Sequence, residues 1–151
     1  INAAQEHFVT NLLRQKLIVA IDGQLPGTSP EAKRFLLFLP EKEFHEIGLL
    51  FYAYLVRKNG HKTIYLGQSV PFEDVIEISK LKKPHAIVTS ITAALDDSMM
   101  ETFLSDLEYN FPKQEVYLTG MQAKTCKRKL PSNFHTVNDV LEFKKLAFEQ
   151  K

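Results

Sequence analysis

The chain has 151 residues and a mass of 17.3 kDa, the size of one compact domain with at most a short appendage. Hydrophobic residues at 44% and charged residues at 25% exclude wholesale disorder. A formal charge of +1 leaves no net footprint for gripping a nucleic-acid backbone, so a DNA role is expected outside this chain or indirectly.

The single cysteine, Cys126, excludes a disulfide framework and a Cys-rich zinc site. No apolar run approaches the ~20 residues that span a bilayer, and the sequence shows no signal peptide. The expectation is a cytoplasmic domain cut from a longer protein, with no membrane partner.

Phe8, Leu12, Leu13, Leu17, Ile18 and Ile21 fall at helical spacing and predict an amphipathic helix over residues 3–21. Two Gly and two Pro between Asp22 and Pro30 predict a linker. Residues 1–30 therefore read as the last helix of a truncated helical bundle plus linker, and residues 31–151 as the main domain. Phe35–Leu39 is a continuous apolar run stopped by Pro40, as in a strand buried on both faces. Phe44, Ile47, Phe51, Tyr54 and Leu55 predict a helix closing at Asn59-Gly60. A second strand over 61–66 is expected to stop at Gly67, and Pro71 to open a helix with Glu73 and Asp74 in its first turn. A third strand (85–91), a helix (96–109) and a fourth strand (115–119) follow. A short helix over 121–129, a strand over 134–137 and a final helix capped by Asn138 and running to about 150 complete the chain.

Strands that alternate with helices in this way predict an α/β fold with a parallel sheet covered on both faces. For five strands the flavodoxin-like, doubly wound order 2-1-3-4-5 is expected, with ligands beside the loops after strands 1, 3 and 4.

Those loops carry unusual residues. His45 follows strand 1, where one ring nitrogen could bind a metal while Glu43 holds the other. The pair is also what an exposed loop histidine beside a helix-start acid looks like. His7, His61, His85 and His135 fall on unrelated segments, so a single-histidine site makes sense only if a cofactor brings the remaining ligands. Gly48 costs ~1 kcal/mol in a helix, for close helix–strand packing or for a ligand that needs bare backbone. Ser90 and Thr92 place hydroxyls at the end of strand 3, although Asp96 and Asp97 are better caps for the next helix. Gly120 suits a tight turn or close ligand approach. No Gly-x-Gly-x-x-Gly or Walker loop is present, strand 3 ends without the aspartate of a phospho-receiver, and no nucleophilic triad assembles around Cys126.

Taken together these positions resemble the cobalamin-binding domain, whose signature is Asp-x-His-x-x-Gly, then Ser-x-Leu, then Gly-Gly. Here Glu43-Phe44-His45-Glu46-Ile47-Gly48 is followed after 41 residues by Ser90-Ile91-Thr92, and after 27 more by Gly120-Met121. Glu43, Thr92 and Met121 are the departures from that pattern. The preceding helix is similar to the C-terminal sensor region of MerR-type transcriptional regulators, including light-responsive adenosylcobalamin repressors. In these a Trp, nine residues and Glu-His end a four-helix bundle; Glu6-His7 fits the end of that signature, and its Trp would precede Ile1.

The resemblance implies that His45 is the lower axial cobalt ligand, with the cofactor's own base displaced and Glu43 orienting the imidazole. It further implies that the nucleotide tail passes Gly48, with hydrogen bonds from Ser90 and Thr92 and clearance at Gly120 and Met121. Gln68, Ser69 and Val70 would touch the corrin rim, and Glu6 and His7 would cover the upper face. Adenosylcobalamin is favoured over methylcobalamin, with DNA bound only through an absent N-terminal domain, a homo-oligomer in the full-length protein, and no enzymatic activity. A corrin-free interaction domain of the same fold, or a corrinoid carrier of a methyltransferase system, are the alternatives.

Overall fold

The computed structural model describes residues 1–25 and 27–149. Helix α1 (Ala3–Asp22) precedes β1 (Arg34–Pro40), α2 (Glu46–Lys58), β2 (Lys62–Val70), α3 (Phe72–Lys82), β3 (Ala86–Ser90), α4 (Asp97–Asn110), β4 (Glu115–Thr119), α5 (Met121–Thr125), β5 (Phe134–Thr136) and α6 (Val140–Phe148). All strand pairs are parallel, in the order β2-β1-β3-β4-β5. The expected doubly wound α/β architecture is therefore present.

Alternation along the strands divides the core in two. Phe35, Leu37 and Leu39 of β1, Ala86 and Val88 of β3 and Tyr117 of β4 pack beneath α2 and α6. Leu36, Phe38, Ile87, Val116 and Leu118 point the other way, onto α3 and α4. Because both faces are covered, every residue from Phe35 to Leu39 is buried, and the strand reads in sequence as an unbroken apolar run.

The element boundaries differ from the sequence reading at four places. Phe44 lies before α2 and is 61% exposed, because the chain turns through left-handed Lys42 (φ 67°) and the helix begins only at Glu46. Strand β2 does not stop at Gly67: it runs on to Val70, absorbing Gly67 (φ 86°) and Ser69 (φ 51°) where its register with β1 shifts. Helix α5 ends at Thr125 rather than near 129. The final helix is capped by Asp139, whose side chain accepts from Glu142 N at 2.9 Å, while Asn138 stays outside the cap; the expected end near 150 lies outside the described residues.

Helix α1 opens with a reciprocal Asn2–Gln5 capping box, and none of its residues is buried. It is tied to the sheet domain at two levels of α2. Arg14 Nε donates to Glu46 Oε2 (2.8 Å) at the first residue of α2, and Arg57 Nη2 in the last turn donates to Gln24 O (2.7 Å), just beyond the end of α1. The two helices thus run in the same direction. At 1.5 Å per residue the N-terminal half of α1 overhangs the start of α2 by about 16 Å. Helix α2 starts where β1 ends, so the overhang lies above the carboxyl edge of the sheet.

Candidate functional site

Glu43 is the organising residue of that edge. It follows β1 in a turn closed by Glu43 N donating to Pro40 O (3.0 Å), and Ser69 N at the end of β2 donates to Glu43 O (3.1 Å). Its side chain is 1% exposed. Oε2 accepts from the backbone N–H groups of Thr92 (2.8 Å) and Ala93 (3.2 Å), just past β3. Oε1 accepts from His45 N (3.3 Å) and from the ring nitrogen His45 Nδ1 (2.5 Å). Burial alone would raise the carboxyl's pKa; the hydrogen bonds from the His45 ring and from three backbone N–H groups outweigh it and hold the group below the ordinary carboxylate range.

An ionised carboxylate can only accept, so His45 carries its proton on Nδ1. The lone pair is then left on Nε2, which has no protein partner among the described residues, on a side chain that is 68% exposed. This is the geometry in which a carboxylate orients a histidine as a metal ligand. Among the described residues no group of three or more His, Cys, Asp or Glu could hold a metal ion, so the imidazole is a lone protein donor.

Gly48 lies one turn into α2. A Cβ built there meets nothing within 4 Å, which excludes close helix–strand packing as the reason for glycine. Ser90 is buried and by alternation with Val88 faces the same side of the sheet as α2. Thr119, at the end of β4, is also buried and alternates with Tyr117 onto that side. The sequence reading passed over Thr119; its position two residues beyond an inward Tyr117 is the signal that could have found it.

Two other expected roles change. Thr92 takes part through its backbone N–H, bound to Glu43, rather than through its hydroxyl. Gly120 (φ 92°) supplies no open clearance: a Cβ there would lie 2.4 Å from Ile91 O. The loops after β3 and β4 close on one another through Ile91 N to Thr119 O (2.8 Å) and Gln122 N to Ile91 O (2.9 Å). Gln122, also missed in sequence, fastens this closure by bonding both Leu95 N and Leu95 O. Met121, at the signature's second glycine, is 61% exposed and stands at the rim.

Gln68, Ser69 and Val70 belong to the end of β2; Ser69 Oγ accepts from Lys42 N (3.1 Å), while Gln68 is exposed and Val70 half-buried. Glu6 and His7 are exposed on the overhanging part of α1 and are not brought into contact with the His45 loop. Phe44 and Met121 at the sheet edge, and Phe8, Leu12 and Leu13 on α1, are exposed apolar side chains. The fold and these features define a doubly wound domain whose carboxyl edge offers one oriented imidazole beside bare helix backbone.

Solved structures that share this fold include corrinoid and cobalamin-binding proteins. They include the monomethylamine corrinoid protein of Methanosarcina barkeri (TM-score 0.64, 17% identity, covering 93% of this chain and 66% of that one). The chain also matches the methanol:cobalamin methyltransferase complex MtaBC from the same organism (TM-score 0.51, 26% identity, 64% and 38% covered). A cobalamin-binding protein of Desulfitobacterium hafniense matches with TM-score 0.51 and 21% identity over 60% of this chain and 45% of that one.

In sequence the chain is a relative of the HTH-type transcriptional repressors CarH and CarA of Myxococcus xanthus. It is 29% identical to CarH over 126 residues (83% of this chain, 41% of the repressor) and 26% identical to CarA over 106 residues (70% and 36%). The chain thus spans about two-fifths of the length of these relatives. No family model matches.

Proposed function

We propose that this chain is the cobalamin-sensing domain of a CarH-like transcriptional regulator, with His45 Nε2 as the lower axial ligand. The observation that carries the reading is the Glu43–His45 pair: a buried, ionised carboxylate fixes Nδ1 and turns the other nitrogen outward. The residues present fit the group, because His45 offers one outward protein donor and Gly48 bare, open backbone beside it, while the hydroxyl-bearing Ser90 and Thr119 face the same side of the sheet. When bound, adenosylcobalamin would contribute a light-cleavable cobalt–carbon bond.

The chain's own part is to hold and report. Glu43 sets the tautomer of His45 and fixes the orientation of its ring. The overhang of α1 carries Glu6 and His7 toward the upper side of the same edge, and its anchor Arg14 bonds Glu46, the residue after His45. Tyr65 Oη donates to the other oxygen, Glu46 Oε1 (2.8 Å), so Glu46 joins α1 and β2 at the residue that follows His45. A ligand that favours one α1 position would bias oligomerisation, and through it DNA binding by a further domain. No reaction catalysed by the chain alone is proposed.

A corrinoid carrier in a methyltransferase system is the second reading, favoured by the 26% identity to MtaBC. Absorbance spectra of the chain with adenosylcobalamin, in darkness and after illumination, test the first. A wild-type spectrum shifted from free cofactor and changed by light, with the dark shift lost in His45→Ala, is expected. A free-cofactor spectrum for wild type would end the proposal, while a shift with methylcobalamin alone would favour the carrier.

A further inference from the structure

The balanced total charge conceals a segregation. In a parallel sheet every helix starts at the carboxyl edge and ends at the amino edge, so charges that suit the helix dipole sort to opposite ends. Glu73, Asp74, Asp96, Asp97 and Asp139 sit at helix starts, whereas Arg57, Lys58, Lys80 and Lys82 sit in last turns.

The strand starts sharpen the basic end into one corner. Arg34 of β1 pairs in register with Lys62 of β2, and Lys62 N donates to Lys33 O (2.9 Å). The Arg34 guanidinium reaches across to the end of α3, donating from Nε to Lys82 O (2.9 Å) and from Nη2 to Lys83 O (2.7 Å). Lys33, Arg34, Lys62, Lys82 and Lys83 are thereby gathered at the amino edge of β2, β1 and β3.

None of these five cations has a carboxylate within 4.0 Å among the described residues. The acids that the chain and sheet place beside this corner are exposed Glu31, Glu115, which is engaged by His135 at 2.6 Å, and exposed Glu149, which follows Phe148, whose ring stacks on His61 (5.4 Å); none forms an ion pair with the five cations. Arg14 and Arg128, by contrast, are both ion-paired. Arg34 is spent on carbonyls, so the free charge resides on four exposed lysines: Lys33, Lys62, Lys82 and Lys83. Helix capping accounts for Lys82 and Lys83 but not for Lys33 and Lys62, nor for the missing counter-charge. The histidines of the corner register the same field: His61 and His85 are both held below the ordinary imidazole value, first by burial and then by Lys33 and, for His85, Arg34.

We infer that this amino-edge corner is a phosphate-contacting face that grips the backbone of duplex DNA without reading its sequence. The inference rests on the regulator reading above, which would hold the domain beside DNA. Flexible lysines act as point charges toward phosphates, and lysine is depleted from protein–protein interfaces, which favours a nucleic-acid backbone over an acidic polypeptide. The corner lies at the opposite end of the sheet from His45, so phosphate contact leaves the cofactor edge uncovered. It would add sequence-independent affinity to whatever a further domain recognises.

The test is fluorescence anisotropy of the full chain, without cofactor, with a labelled duplex of arbitrary sequence across a salt series. Wild type is expected to bind with a Kd of roughly 10⁻⁶–10⁻⁴ M at physiological salt and more tightly as salt is lowered. The variant Lys33→Gln/Lys62→Gln/Lys83→Gln is expected to bind at least about tenfold more weakly, with its salt slope reduced by about 3. An equal charge change elsewhere, Lys124→Gln/Lys127→Gln/Lys129→Gln, is expected to stay within about twofold of wild type. No duplex binding by wild type, an equal loss in both variants, or polyglutamate competing as well as duplex overturns the inference. Cobalamin uptake by the same proteins is recorded separately, so either reading can fail alone, and retained uptake or an unchanged circular dichroism spectrum shows that the triple variant is folded.

Discussion

Two glycines stand at opposite limbs of the same sheet edge. A Cβ at Gly48 meets nothing within 4 Å, whereas one at Gly120 would lie 2.4, 2.7 and 2.8 Å from the backbone of Ile91. Gly120 also sits at φ 92°, where side chains are strained, while Gly48 has ordinary helical backbone. One glycine is required for the fold to close, and the other is carried at a cost to the fold. Only the second kind is evidence for a ligand, although both occupy signature positions.

The largest test of this contrast is Gly120→Ala. Strain at positive φ and overlap with main-chain atoms, which cannot swing aside as a side chain can, should cost about 2–4 kcal/mol of stability. Urea denaturation would show it as a lowered midpoint, and a loss below about 1 kcal/mol would mean that the closure between the β3 and β4 loops is slack.

Next is Glu43→Gln. The amide keeps the shape but loses the charge that accepts from Thr92 N, Ala93 N and the His45 ring, and about 1–3 kcal/mol should go at neutral pH. The pH dependence has a definite sign. The folded carboxyl lies below its unfolded value, so its stabilisation is complete above the ordinary carboxylate range and is lost as pH falls through the folded value. The stability gap between wild type and variant should therefore be widest near neutrality and close in acid, below pH ~4. A gap that persists undiminished in acid would assign the effect to packing.

Much of this was legible in the sequence for one physical reason. Strands buried on both faces must be continuously apolar, and helices that flank them must alternate with them, so the covered parallel sheet followed from Phe35–Leu39 and its successors, and its order 2-1-3-4-5 from the flavodoxin-like arrangement expected for five strands. The spacing of Glu43, His45, Gly48, Ser90 and Gly120 likewise marked the carboxyl edge. What remained hidden depends on partners far along the chain. The continuation of β2 past Gly67 needs Glu43 O to accept from Ser69 N, and the anchoring of α1 needs Arg14 to find Glu46, 32 residues away. The N–H groups of Thr92 and Ala93 that ionise Glu43 belong to the main chain, which carries no residue signature. Gly48 and Gly120 show the same limit, since the letter is identical and only the neighbours distinguish them.

The smallest expected effect on the fold is the most discriminating for function. Gly48→Ala adds a methyl group into open space on an exposed turn of α2, so the helix should gain about 0.5–1 kcal/mol from reduced backbone entropy in the unfolded chain. If the bare backbone exists only as an unoptimised surface position, that gain is all that should be seen, and cobalamin spectra should match wild type. If a nucleotide tail runs along α2, the same methyl group lies in its path, and titration should show weaker cobalamin binding by a more stable protein. Opposite signs for stability and affinity in one variant cannot arise from general damage to the fold. Weaker binding accompanied by lower stability would instead remove Gly48 from the site and leave His45 as its only open element.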